Sequence, residues 1–315
     1  MSVAAIAIGR NEGARLLACL ASLEGHVAQV VYVDSGSTDG SVAAARAAGV
    51  EVVELDMSVP FTAARARNAG FERVREIAPD ADFVQYLDSD CEMDAGWITA
   101  GVALLQDQPD VAVVCGWRRE KYPDATFWNG LIDAEWISAP VGEVRACGGD
   151  ALMRVAAVEA VDGYRIDLIA GEEPEMCFRM REKGWRIWRL DAAMTRHDAA
   201  LTKVSQWWQR ARRTGHTYAQ GVALHGASPE RYRVRELRRT LIWSVALPLV
   251  ALLGAVLVSP WCLALFLAYP LQILRLARRG MPLGHAACLV LGKFPELQGV
   301  FGFWVLRRRT LIEYK

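Results

Sequence analysis

The chain has 315 residues, with 36 Lys+Arg against 36 Asp+Glu, so its formal net charge is zero. Hydrophobic residues make up 53% and charged residues 23%, which excludes intrinsic disorder. Neutrality argues against a dedicated nucleic-acid binder, and no nucleic-acid partner is expected.

From the N-terminus, Met1 leads into an apolar run over 3–8 that Arg10-Asn11-Glu12 soon follows. It is too short for a signal peptide and reads as a first strand. Further strands are expected at 29–34, 50–55, 82–87 and 111–117, with helical patterns near 13–23, 40–48, 61–77 and 94–106. One more strand is expected at 185–190. Strand–helix alternation predicts an α/β fold with a mostly parallel sheet and helices on both faces. Ligands then bind beyond the carboxyl ends of the strands. The seven cysteines show no CxxC pair, so neither a zinc site nor a disulfide framework is expected, which fits a reducing compartment.

The C-terminal third differs. Residues 1–200 carry 19 basic and 32 acidic side chains, net −13, while residues 201–315 carry 17 and 4, net +13. Over 201–240, Val204, Trp208, Ala211, Tyr218 and Val222 recur at helical spacing and predict an amphipathic interfacial helix. Residues 241–276 form a long apolar run that Ser259-Pro260 divides, which predicts a transmembrane helical hairpin. Arg238 and Arg239 precede it and Arg275, Arg278 and Arg279 close it, which places both ends in the cytosol. Residues 286–306 are apolar but interrupted by Lys293, Pro295 and Glu296, and Arg307-Arg308-Arg309 follow. They predict an interfacial or re-entrant segment. The expected organisation is a cytosolic α/β domain over 1–200, an interfacial region over 201–240 and a membrane region over 241–315. The chain is thus expected at the cytoplasmic face of the inner cell membrane, in contact with membrane lipids.

Two apolar strands end in acid: the second runs into Asp34, and the fourth into Asp88-Ser89-Asp90. Extended backbone would put Asp88 and Asp90 on one side, facing one hard cation such as Mg²⁺ or Mn²⁺. Turn and capping roles are the alternative. Thr38 or Asp39 is expected to cap the helix that begins near Gly40.

Taken together, Ile8-Gly9-Arg10-Asn11-Glu12, Val33-Asp34-Ser35-Gly36-Ser37-Thr38-Asp39-Gly40, Arg67-Asn68-Ala69-Gly70, Leu87-Asp88-Ser89-Asp90 and Gly171-Glu172-Glu173 resemble the motifs of inverting glycosyltransferases of family 2. The resemblance implies the A-type, Rossmann-like glycosyltransferase fold and a UDP- or GDP-sugar donor. It implies that Asp34 contacts the base or ribose, with Asn11, Glu12, Arg67, Asp88, Ser89 and Asp150 as further donor-side candidates. Arg67 would pair with a phosphate or a pocket acid. Asp88, Asp90 and His197 are the candidate ligands of Mn²⁺ or Mg²⁺. The stretch Cys147-Gly148-Gly149-Asp150 resembles one that lines the acceptor side, and Trp117-Arg118-Arg119-Glu120-Lys121-Tyr122 reads equally as an acceptor loop or a solvated edge.

The second residue of the family's Glu-Asp motif is its base, which corresponds here to Glu173, with Glu172 as the alternative. Because Pro174 favours a first helical position, Glu173 is expected at the N-cap. Processive members carry Gln-x-x-Arg-Trp; Gln206-Trp207-Trp208-Gln209-Arg210 stands here instead. The expected activity is therefore non-processive transfer of a sugar to a lipid-linked saccharide in exopolysaccharide or surface-glycan synthesis. A polyprenyl-phosphate glycosyltransferase and a catalytically silent membrane scaffold are the alternatives.

Overall fold

The computed structural model describes residues 1–305. They form two compact units, one over Met1–Thr202 and one from Lys203 onward.

The first unit is built on nine strands: β1 (Ser2–Gly9), β2 (Gln29–Asp34), β3 (Glu51–Glu54), β4 (Ala81–Asp88), β5 (Cys91–Met93), β6 (Val111–Glu120), β7 (Gly142–Val144), β8 (Ala151–Arg154) and β9 (Arg186–His197). Their order is β3-β2-β1-β4-β8-β6-β9-β5, with β7 beside β9. β3, β2, β1 and β4 are mutually parallel, as are β6 and β9. β8 runs antiparallel between β4 and β6, and β5 and β7 run antiparallel to β9. The sheet is thus mixed. Every antiparallel pairing involves β5, β7 or β8, strands of three or four residues that leave no periodic signal.

β1 is central, and Ala4, Ala5, Ile6 and Ala7 are fully buried, as a strand covered on both faces requires. The covering helices are α1 (Ala14–Leu23), α2 (Ser41–Ala47), α3 (Ala63–Ile77), α4 (Trp97–Asp107), α5 (Phe127–Trp136), α6 (Val155–Ala160) and α7 (Glu172–Glu182). α1 buries Leu16, Cys19, Leu20 and Leu23, one stripe at helical spacing. α3 starts under a cap, with Thr62 accepting from the Arg65 amide. It lies against β1 and β2 at Gly70, where a Cβ would come within 2.4 Å of Ile6 Cγ2 and 2.9 Å of Val33 Cγ2. That close approach brings Arg67, one turn earlier, over the strand ends. Neither Thr38 nor Asp39 caps α2, whose N-cap is Gly40 in the left-handed region without a side-chain cap bond; Asp39 stands one residue earlier, its Oδ1 accepting from the Ser41 amide at 3.0 Å.

Register brings the acidic strand ends together. Gly9 pairs with Asp34 and Ile8 with Asp88, so both acid-ended strands finish at one edge of the sheet.

The second unit contains α8 (Val204–His225), α9 (Val234–Leu241), a π turn at Ile242–Ala246, α10 (Leu247–Leu257), a 3₁₀ run at Pro260–Leu267, α11 (Ala268–Ala277), α12 (Leu283–Leu291) and α13 (Lys293–Val305). Two helical stretches, Val234–Leu257 and Pro260–Ala277, are long and apolar enough to cross a membrane. Their outward faces are bare: Val256, Leu257, Val258 and Trp261 are 76–86% exposed. The break falls at Ser259-Pro260, where the Ser259 hydroxyl accepts from the Trp261 amide.

Residues 286–305 lie on α12 and α13. Two helices meet at Gly292, and α13 packs on α8. A Cβ on Gly215 would fall 1.8 Å from the Glu296 carbonyl oxygen, and one on Gly299 1.8 Å from that of Arg212. Two glycines thus let the helix backbones touch. Glu296 is buried, paired with Lys293 at 2.6 Å and accepting from the Thr240 hydroxyl. The charges that interrupt the apolar run therefore satisfy one another inside the unit. Arg307, Arg308 and Arg309 lie outside the described residues.

Candidate active site

Beyond the ends of β1, β2 and β4 the chain makes three tight turns. In the first, Asn11 adopts φ 56°, its Oδ1 accepts from the Thr38 amide at 2.7 Å, and its own amide donates to Ser37 Oγ at 2.8 Å. Asn11 thus ties the β1 turn to the β2 turn. Glu12 is buried and pairs with Arg15 at 2.5 Å.

In the second, Asp34 is 2% exposed. Its Oδ2 accepts from the amides of Gly36 and Ser37, and its Oδ1 from the Tyr32 hydroxyl at 2.9 Å. Burial, and then the Asp34 carboxylate, drive the Tyr32 phenol well above its ordinary range, so Tyr32 remains a donor.

The third turn corrects the expected geometry of the acidic pair. β4 ends at Asp88, and Ser89 and Asp90 form a turn into β5, so the two aspartates do not share one extended strand. They face different partners. Asp88 accepts from Arg67 Nη2 at 2.9 Å and pairs with Arg118 Nη2 at 3.1 Å. Burial raises its carboxyl, but the two guanidinium groups outweigh that and hold it below the usual carboxylate range. Asp90 lies 3.2 Å from His197 Nε2. Pairing of Cys91 with His197 across β5 and β9 sets that contact. β9 runs on to His197, whereas the sequence predicted a strand ending near 190 and left His197 just beyond it. Ser89 is buried beneath, its amide bonded to Ile8 O at 2.9 Å. A Cβ on Gly9 would fall 1.7 Å from Ser89 Oγ, so only glycine fits there.

Candidate metal ligands fall into two groups that share Cys91, and neither unites Asp88 with Asp90 and His197. Ligand atoms of Asp90, Cys91 and His197 lie within 4.8 Å of one another, as do those of Asp88, Cys91 and Asp150. Carboxylate and imidazole donors suit Mn²⁺ or Mg²⁺ better than a thiol does, which favours Asp88, Asp90 and His197 over Cys91. His197 Nδ1 is buried and has no hydrogen-bond partner among the described residues.

Asp150 takes a different place from the one expected. It is fully buried, with Oδ1 accepting from the Asp88 amide at 3.1 Å and Oδ2 from the Thr195 hydroxyl at 2.6 Å. It braces Asp88 from below and presents no surface to a sugar hydroxyl. Gly149 explains the bend beside it: a Cβ there would meet Arg67 Nη2 at 2.7 Å and Asp88 Oδ2 at 3.0 Å. Gly148 faces open space.

α7 begins at Glu172, not at Pro174, so Glu173 is not its N-cap. Gly171, at φ 77°, makes the turn that only glycine adopts readily, and Glu172, Glu173 and Glu175 fill the first turn, where the helix dipole favours acid. Released from capping, both glutamates reach Arg67: Nη1 lies 2.7 Å from Glu172 Oε1 and 3.1 Å from Glu173 Oε1. One buried guanidinium therefore joins Asp88 to the glutamate pair. Burial, and then the Glu172 carboxylate, push the Glu173 carboxyl from 4.5 up to about 7, against the pull of Arg67.

Arg118 is the site residue that sequence reasoning left undecided. β6 continues to Glu120, so the stretch from Trp117 is strand rather than loop. Alternation along it turns Arg118 inward, 15% exposed, and Arg119 outward, 50% exposed.

Residues 6–161 match the family model for Glycosyl transferase family 2. The chain is 26% identical over 305 residues to the succinoglycan biosynthesis protein ExoA of Rhizobium meliloti (strain 1021), covering 91% of this chain and 87% of that protein. Among solved structures it is similar to the mannosyltransferase PcManGT from Pyrobaculum calidifontis, in complex with GDP-Man and Mn²⁺, at 18% identity and a TM-score of 0.66, covering 98% of this chain and 88% of that one. The strand ends, the Asp88 turn and the glutamates of α7 stand on the A-type fold, and the chain carries a glycosyltransferase family 2 domain.

Proposed function

We propose that this protein is a non-processive, inverting glycosyltransferase that moves a sugar from a UDP- or GDP-sugar to a lipid-linked saccharide during exopolysaccharide or surface-glycan assembly. The observation that carries this reading is the single guanidinium of Arg67, which holds Asp88 and the glutamates of α7 within one side chain's reach. Leaving-group chemistry and acceptor activation then occupy one small volume. The Rhizobium relative, a succinoglycan biosynthesis protein, supports the choice of exopolysaccharide.

In this reading Asp34, Asn11 and Glu12 line the nucleotide, while Arg67 and the Asp88-Ser89 turn face the diphosphate. Asp88, Asp90 and His197 would hold Mn²⁺ or Mg²⁺, which supplies charge neutralisation for the diphosphate leaving group when bound. Glu173 is the base. A carboxyl poised at about 7 takes a proton from an acceptor hydroxyl efficiently near neutral pH. Glu172 sits closer to Arg67 and is more buried, 8% against 14% exposed, which suits a counter-charge better. The catalytic domain spans residues 1–200 in the cytosol. The apolar stretches Val234–Leu257 and Pro260–Ala277 anchor it in the membrane beside its lipid-borne acceptor.

The test is a donor screen scored by nucleotide release, with UDP- and GDP-sugars, Mn²⁺ and lipids extracted from host membranes. Release of one nucleotide only with lipid present, lost in Glu173→Gln, supports the reading. Release that persists in Glu173→Gln points to a lipid phosphate acceptor, which needs no base. No release with any donor would remove the enzymatic reading.

A further inference from the structure

α5 had no counterpart in the sequence reading, yet buried polar groups fix it in place. Thr126 caps it, accepting from the Asn129 amide, and donates to Leu201 O at 2.6 Å. Asn129 Nδ2 donates to Tyr122 O at 3.0 Å. Asp133 takes a two-pronged bond from Arg119 at 2.8 and 2.9 Å and accepts from the Glu120 amide. Glu120, Asn129 and Asp133 are all buried. Burying three such groups is unfavourable unless each is satisfied, and here the bonds serve to hold one helix.

That helix ends on Trp136. Its ring meets the His197 ring edge to face, with centroids 5.0 Å apart, and the Arg118 guanidinium lies 4.8 Å from its centre. Arg189 Nη1 donates to the Trp136 carbonyl at 3.0 Å, pinning the backbone below the ring. On their far sides His197 reaches Asp90 and Arg118 reaches Asp88.

We propose that Trp136 is a positioning residue for the cation site: one indole holds His197 beside Asp90 and Arg118 beside Asp88. Without the ring each side chain loses its aromatic neighbour and is held only by its carboxylate partner, Asp90 for His197 and Asp88 with Asp150 for Arg118. A carboxylate pair whose imidazole partner wanders holds a metal less well. The inference rests on Asp88, Asp90 and His197 being the cation ligands. Removing a side chain that orients metal ligands typically lowers affinity about 10–100-fold.

The test titrates Mn²⁺ into the full-length chain and follows loss of the free-ion electron paramagnetic resonance signal. Trp136→Leu should bind Mn²⁺ at least about tenfold more weakly. Trp136→Phe, which keeps an aromatic face, should recover most of the difference. If Trp136→Leu does not fold, Trp136→Met fills the space without a ring and carries the same expectation. Unchanged Mn²⁺ affinity in the leucine or methionine variant, with binding lost in Asp90→Ala, would overturn the role of Trp136 alone. No Mn²⁺ binding by the unmodified chain would overturn the cation site and this proposal with it.

Discussion

Arg67 stands 3.1 Å from Glu173, and both side chains are nearly sealed from water, at 3% and 14% exposure. The same guanidinium also serves Asp88 and Glu172, so one cation compensates three acids. Removing it should be severe. Arg67→Met is expected to destabilise the first unit by about 3–5 kcal/mol near neutral pH, the usual result of stranding buried charge. The loss should shrink in acid, where the carboxyls protonate instead. Arg67→Lys restores a charge without the fork and should fall between. Urea unfolding at two pH values measures both effects.

The raised carboxyl of Glu173 gives a pH signature. As a base it must be ionised, so turnover should fall as pH drops through about 7. Glu173→Gln should lose about 10²–10⁴ in turnover while nucleotide binding stays close to normal. For folding the sign is opposite. Between 4.5 and about 7 the folded protein carries the proton and the unfolded chain does not, so stability declines as pH rises across that window. Glu173→Gln should flatten this part of the stability profile. A Glu172→Gln variant that is dead beside an active Glu173→Gln would reverse the two roles.

Chelation should abolish transfer, and Mn²⁺ should restore it. Asp88→Ala and Asp90→Ala should both lower turnover and weaken metal binding, but only Asp88→Ala also removes a carboxylate that Arg67 and Arg118 share. Asp88→Ala is therefore expected to lower the melting temperature more than Asp90→Ala does. Full activity of Asp90→Ala in chelator would refute the assignment.

Gly9 has no room for a methyl group against Ser89 Oγ. Gly9→Ala should cost about 1–3 kcal/mol through overpacking and should displace the Asp88-Ser89 turn. Ser89→Ala in the same chain removes the worst clash but leaves a Cβ contact of 3.0 Å, so rescue should be partial. Thermal melting of the single and double variants gives the coupling.

A fragment ending at Thr202 should fold, remain soluble without detergent and bind nucleotide, because the three turns at the strand ends and all of α7 precede that point. Calorimetry with UDP and GDP checks it. A folded fragment that binds neither would show that the second unit completes the donor site.

The strands that carry the site were legible because each ends abruptly in a residue no apolar strand wants: Gly9, Asp34, Asp88. The glycine contact at Gly70 was not, since it depends on Ile6 and Val33 of the sheet it packs on. β5, β7 and β8 are too short for periodicity, and the buried network around Asp133 joins residues close in sequence but ambiguous in pattern. Pro174 misled the reading of α7: proline tolerates any position in the first turn, and Gly171 had already set the start. Arg118 carried one usable signal, the period of two that continues from Trp117 to Glu120. Asp150 carried none, because a turn aspartate that faces solvent and one that faces a backbone amide look alike in sequence.

The bare aliphatic tip around Val256 and Trp261 also determines what can be measured on the intact chain. Its surroundings are part of its thermodynamic state, because whatever coats that tip binds the folded form. Under the proposed membrane anchoring, a melting temperature for the full-length protein is a joint property of chain and amphiphile. Two preparations in different detergents will report two different stabilities for an identical catalytic unit, and variants of the cleft can be ranked only when the coating is held constant.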